Sequence, residues 1–213
     1  MRRTLPPLLL AAATIASACH STPAAASRLQ STMEPAMVTN PPEYDVEEAR
    51  RRLREFGARY DYDMSYLELL LELSPVAHAT FAAAMALPEH RGPLPVEVHF
   101  VARIAAMLAD DCGACTQLNL RLAVEAGVDR HLLQRLLAQP AALPPLLALV
   151  YDHTRRVVGG DNADAATVAE LRRQLGDAGF AALCVTIVGC RIYPGLKRAL
   201  GQENACRLPA LDF

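Results

Sequence analysis

The sequence predicts an all-helical domain, on three observations. Alanine and leucine dominate a chain of 213 residues with only 5% aromatics and no tryptophan, and both residues favour helix over strand. From Tyr44 onward nearly every segment reads as helix, with capping and breaking residues between segments. Clean alternation of apolar and polar residues occurs only in VEVHFVA, which begins at Val96. Even there Phe100, Ile104 and Met107 or Leu108 share a helical face, and the run continues to Asp110, long for a strand.

The elements follow in order. VEEARRRLREF (46–56) places acids early and bases late, as the helix dipole favours, and its Arg50-Arg51-Arg52 run reads as a solvated face. SYLELLLELSPVAHATFAAAMAL is divided, or kinked, at Pro75. EHRGPLP (89–95) is a loop, and a helix runs from Val96 to Asp110. CTQLNLRLAVEAGV stops at Gly127, and Asp129 caps RHLLQRLLA. Pro140, Pro144 and Pro145 punctuate the join to LLALVYDHTRRVV, where His153 is expected to be exposed. Asp164 caps TVAELRRQL after the GGDNAD turn. The last stretch, AGFAALCVTIVGCRIYPGLKRALG, is strongly apolar and is expected to kink or break at Pro194 and Gly195, with Tyr193 packing.

Three segments make up the chain. Residues 1–19 carry two arginines, an apolar run from Leu5 to Ile15 and then small residues, the layout of a secretory leader. Ala16-Ser17-Ala18-Cys19 resembles a loose lipobox, so a lipid on Cys19 is the one membrane attachment expected. The other reading starts the chain at Met33 or Met37 and leaves the protein in the cytoplasm. Residues 20–43 are rich in Pro, Ser and Ala and read as a disordered linker. Residues 44–213 are the helical domain. A formal net charge of −2 argues against a nucleic-acid partner.

Of the six cysteines, Cys112 and Cys115 alone form a motif, in DDCGACTQLN (110–119). Cys184, Cys190 and Cys206 read as buried small hydrophobes. With Asp110 or Asp111 as N-cap, both motif cysteines fall in the first turn of a helix, their Cα atoms about 5 Å apart, within disulfide range. A helix N-terminus favours a thiolate, while the two carboxylates oppose it. Three chemistries fit: a redox dithiol, half of a zinc site completed by Cys184 and Cys190 or by His99 and His153, and two packed core residues. No second pair has a recognisable ligand spacing, so neither metal nor cofactor is expected. A thioredoxin fold also uses C-G-x-C, but no tryptophan precedes Cys112 and no later strands follow.

DDCGACTQLNLRLAVEAGVDRHLLQRLL resembles the core of the carboxymuconolactone decarboxylase superfamily, in its alkylhydroperoxidase-D-like branch: a helix, then C-x-x-C opening a second helix, then A-x-x-x-G-V and a third. The resemblance spans roughly residues 60 to 206, and RIYPGLKRALG resembles a tail seen in some members. It implies a helical bundle with the cysteine pair at the start of a core helix, assembled as a trimer or hexamer. It also implies an antioxidant peroxidase in which Cys115 attacks a peroxide and Cys112 resolves the sulfenic acid as a disulfide, with a thiol protein as reductant. The family's proton relay is not matched. Asn119 stands where its histidine is expected and Phe100 where its glutamate is expected. Glu97, His99, Asp111 and Asn119 are therefore the candidate relay residues. His99, on an apolar helix, also reads as a satisfied core or interface histidine. The alternative function is a non-catalytic helical oligomer, or a small-ligand-binding relative with a degenerate site.

Overall fold

A computed structural model describes residues 44–202; the leader, the linker, Cys19 and Cys206 lie outside the described residues. Among the described residues all regular structure is helical. The expected all-helical class holds, including over Val96–Ala109, where a strand was conceivable and a helix is found.

Local chemistry sets most of the boundaries. Helix α1 (Val46–Tyr60) starts at Asp45, whose carboxylate accepts from the Glu48 amide, and ends at Asp61 in the left-handed conformation. Arg51 and Arg52 lie on its exposed side, paired with Glu48 and Glu55. α2 (Ser65–Leu73) stops at Ser74, which caps α3 (Pro75–Ala84), with Pro75 at the first helical position where its missing N–H costs nothing. A short α4 (Ala86–Glu89) precedes the 90–95 loop. α5 (Val96–Ala109) is buried along almost its whole length. α6 (Gly113–Glu125) ends at Ala126, and Gly127 takes a positive φ of 89°. Asp129 caps α7 (Arg130–Ala138) through the amides of His131 and Leu132. α8 (Pro145–Val158) follows a 3-10 turn, and Asp164 caps α9 (Ala165–Cys190).

The C-terminal stretch departs from expectation. α9 is interrupted at Gly176, whose φ of 70° and ψ of 167° suit glycine almost alone. Pro194 and Gly195 do not break a helix; they lie inside the first turn and body of α10 (Ile192–Ala199). Proline is tolerated there because first-turn amides have no intrahelical acceptor to lose. The run Ala165–Ala199 is long and apolar enough to cross a membrane by length and composition. Here it is broken into α9 and α10, and α9 lies against α4, α5 and α8.

Two apolar clusters result. The larger joins α5 to α6–α9 around Val98, Ile104, Leu120, Leu133 and Leu183. The smaller joins α1 and α2 around Leu53, Tyr66, Leu67 and Leu71, with Phe81, Met85 and Leu196 packed on it. Each large apolar side chain fully buried contributes about 1.5–3 kcal/mol. Tyr193 packs against both clusters, so α10 is the element that spans them. It packs as expected, edge-on to Phe81 with ring centres 5.9 Å apart.

One close approach fixes α4 on α9. A Cβ placed on Gly189 would stand 2.5 Å from the Pro88 nitrogen and 2.7 Å from the Leu87 carbonyl carbon, both backbone atoms that cannot yield alone. Gly189→Ala is therefore expected to destabilise the fold by about 1–3 kcal/mol, the usual cost of overpacking, measured by urea denaturation. An unchanged midpoint would show that α4 shifts freely.

Candidate functional site

The turn between α5 and α6 creates the site. Asp110 ends α5 and Asp111 adopts a φ of 50°, a left-handed conformation that aspartate tolerates better than most residues. The chain thus reverses in two residues. The Cys112 amide donates to the Met107 carbonyl at 3.0 Å, and Thr116 returns both its amide and its hydroxyl to the Cys112 carbonyl, each at 2.9 Å. The N-cap of α6 is Cys112 itself, not Asp110 or Asp111. The correction has a physical reason. Asp110, at the end of α5, turns to α10, where Arg198 lies 3.2 Å and Arg191 3.6 Å from its carboxylate oxygens. Asp111 is exposed and contributes backbone geometry.

Cys112 and Cys115 have Cα atoms 5.3 Å apart and are paired sulfur to sulfur. Both are buried, Cys112 at 0% and Cys115 at 2% exposure. Cys115 borders a cavity of about 480 Å³ between the two apolar clusters, and Cys112 does not. The cavity wall is mainly Leu53, Phe56, Tyr62, Tyr66, Met107 and Tyr193, with Arg52, Glu89, Arg103 and Asn119 as its polar members. Cys190 also lines it, but burial pushes that thiol up to about 12, which keeps it protonated near neutral pH. Cys184 is half-buried rather than buried as expected. Among the described residues no group of three or more His, Cys, Asp or Glu is placed to hold a metal.

Asn119 sits one turn after Cys115 and bridges two elements. Its amide nitrogen donates to the Cys115 carbonyl at 2.8 Å, and its oxygen accepts from Arg103 Nε at 2.6 Å. Arg103, on α5 and 5% exposed, also donates to the Pro88 carbonyl at 3.2 Å and pairs with Glu89 at 3.0 Å. Phe100, the residue found where the family's glutamate is expected, lies under the Arg103 guanidinium at 5.4 Å.

The remaining relay candidates are not brought to the sulfur. Glu97 is half-buried in the first turn of α5 and does not line the cavity. His99 is buried, in reach of Thr186 Oγ1 and of Arg103, each at 3.4 Å. Burial, reinforced by Arg103, Arg91 and His90, lowers it from 6.5 to about 4, so it is neutral near pH 7. His153, expected to be exposed, is buried at 4% exposure beside Phe180, because α8 turns that side inward.

Two contacts on Cys115 come from residues that the sequence reading passed over. The Tyr62 hydroxyl lies 3.5 Å from Cys115 Sγ, and Lys197 Nζ lies 3.7 Å from it. Lys197 is completely buried. Its Nζ sits between two tyrosine rings, 4.7 Å from the Tyr62 centroid and 4.8 Å from that of Tyr66. Cation–π contacts of this kind reach about 2 kcal/mol when desolvated. The signal was present in the sequence: Tyr193, Leu196, Lys197 and Leu200 recur at helical spacing, which puts the lysine on the apolar stripe of α10.

No family model, curated protein or solved structure matches the chain.

Two outcomes are expected here. Asn119→Ala leaves Arg103 Nε without its acceptor and costs about 2 kcal/mol in urea unfolding, the usual penalty for an orphaned buried donor. Acid stability gives the second. His99 binds its proton less readily folded than unfolded, so its contribution is complete above 6.5 and is lost as pH falls towards 4. Burial also lowers His78 and His153 in the same direction. Stability should therefore fall over that window, and His99→Gln should flatten part of the slope in melting curves taken at several pH values.

Proposed function

We propose that this protein is a thiol-dependent oxidoreductase that reduces a peroxide through a Cys112–Cys115 dithiol and disulfide, with a thiol protein as reductant. One observation carries the reading: two cysteines paired at the start of a core helix, one of them opening on a cavity. The chemistry balances. The Cys115 thiolate attacks the terminal oxygen of ROOH, the O–O bond breaks, and Cys115 becomes a sulfenic acid while RO⁻ leaves and takes up a proton. The Cys112 thiol then displaces the hydroxyl as water and closes the disulfide. A reductant dithiol returns both cysteines to thiols and is itself oxidised.

The division of roles draws support from position as well as from the resemblance. Cys115 borders the cavity and sits in the first turn of α6, where the helix dipole favours an anion. Cys112 touches the Cys115 sulfur and does not reach the cavity. Cys190, held as a thiol by burial, is a spectator despite lining the same wall. The resemblance also brings a homo-oligomer, for which Leu73, Val76, Leu87 and Val188 offer exposed apolar contact.

A second reading, a carrier of a small apolar ligand, is favoured by the largely apolar wall of a cavity within the usual size of ligand sites, roughly 300–1,000 Å³. One experiment separates them. The protein is fully reduced, exposed to slight excess hydroperoxide, blocked with a thiol reagent and mapped by peptide mass. The expected result is a Cys112–Cys115 disulfide formed rapidly with Cys184 and Cys190 still reduced. Cys115→Ser should abolish peroxide consumption, and Cys112→Ser should leave a sulfenic acid on Cys115. Two untouched thiols in the wild type would sink the oxidoreductase reading and leave the ligand carrier.

A further inference from the structure

We propose that Lys197 is a catalytic residue of this site, the proton partner of Cys115. The inference rests on the dithiol reading above and supplies what that reading lacks, a group on the sulfur able to take and return a proton.

The geometry singles out this lysine. Asn119 cannot exchange a proton near neutral pH and is committed to Arg103 and to the Cys115 carbonyl. His99 points to Thr186 and Arg103. Lys197 Nζ lies 3.7 Å from the sulfur that reacts. It reaches that place because Tyr193, Pro194 and Lys197 form the inner side of α10, while Arg191 and Arg198 clamp the helix to Asp110 just ahead of the cysteine pair. The two tyrosine rings favour the charged form of the amine, and a cation beside a thiol favours the thiolate. Burial favours the neutral amine and thiol. The rings, together with the N-terminus of α6, oppose that effect of burial on both partners.

The proton has a complete path. It passes from the Cys115 thiol to the Lys197 amine, giving a thiolate–ammonium pair. The thiolate attacks the terminal oxygen of the hydroperoxide, and the oxygen that leaves takes the proton from the ammonium as ROH. The amine is then neutral, ready to receive the proton of Cys115 after re-reduction. No oxidant or reductant beyond the peroxide and the thiol reductant is needed.

The test reads the thiol apart from the peroxide. Reduced protein is alkylated with iodoacetamide across a pH series, with labelling at Cys115 followed by mass. The titratable groups facing its sulfur are Cys112, Tyr62 and Lys197; Tyr66 faces the lysine, and Arg103 stands behind Asn119. In the wild type the midpoint should lie below the ordinary thiol value of about 8.5. Lys197→Met keeps the length and apolar body of the side chain and should move the midpoint up to that value or beyond. It should also slow peroxide-driven disulfide formation by about 10²-fold or more, with the helical spectrum retained. A wild-type midpoint at or above the ordinary value overturns the inference whether or not the variant folds, and so do superimposable wild-type and Lys197→Met profiles. The inference and the reading beneath it fail separately. A lysine-dependent midpoint in a protein inert to peroxide supports the pairing and removes the peroxidase reading. Peroxide turnover indifferent to Lys197→Met does the reverse.

Discussion

A guanidinium buried among helices governs the arrangement of everything around the cysteine pair. Arg103 projects from α5, the most enclosed helix, and binds the Asn119 amide of α6, the Pro88 carbonyl and Glu89 of α4, with His99 within reach on its own helix. A buried charge is costly unless its hydrogen bonds are met, so these groups have little freedom to move apart. Asn119 in turn holds the carbonyl of Cys115. The Arg103 network therefore reaches the backbone of Cys115 through a single side chain. Gly189 serves the same network at a distance, because α4 offers Pro88 and Glu89 only if α9 lets it approach.

Two basic side chains, Arg103 and Lys197, stand near the sulfur. Arg103, paired with Glu89, and Lys197 are both buried, and Asp110, the nearest acid in sequence apart from Asp111, is occupied by Arg191 and Arg198. Against Asp110 and Asp111, which by sequence alone should oppose a thiolate, the folded chain sets the Lys197 nitrogen 3.7 Å from the sulfur itself. An arrangement of this kind suits chemistry that creates negative charge at Cys115. It suits a neutral ligand that merely fills the cavity less well.

Much of the scaffold was legible in the sequence. Asp129, Asp164, Pro75 and Gly127 act where their local chemistry says they should, since caps and breakers operate within a few residues. The cysteine pair at the start of a helix was legible for the same reason. What escaped depended on distant contacts. Asp110 was expected at the start of α6 because nothing local reveals Arg191 and Arg198 eighty residues away. His153 was expected on the surface because Asp152 and the arginines after it look solvated. Lys197 was hidden in what resembled a family tail, and a lysine on an apolar stripe is usually discounted as one that reaches out to water. The helical spacing places it on that stripe, but its contact with the sulfur shows only when Tyr62 and Tyr66, from another part of the chain, close over it.

The burial of both sulfurs has a consequence for how electrons could enter. Cys112 presents no surface to solvent and Cys115 only 2%, and of the two Cys115 alone meets the cavity. Thiol exchange requires an attacking sulfur in line with the bond it breaks. A space of about 480 Å³ admits a small thiol more readily than a folded reductant domain. On the dithiol reading, electrons would then enter through the mouth of that cavity, which α1 and α2 border with Leu53, Phe56, Tyr66 and Leu67. A partner that supplied them would be selected by its fit to that apolar rim and not by the sulfur chemistry alone.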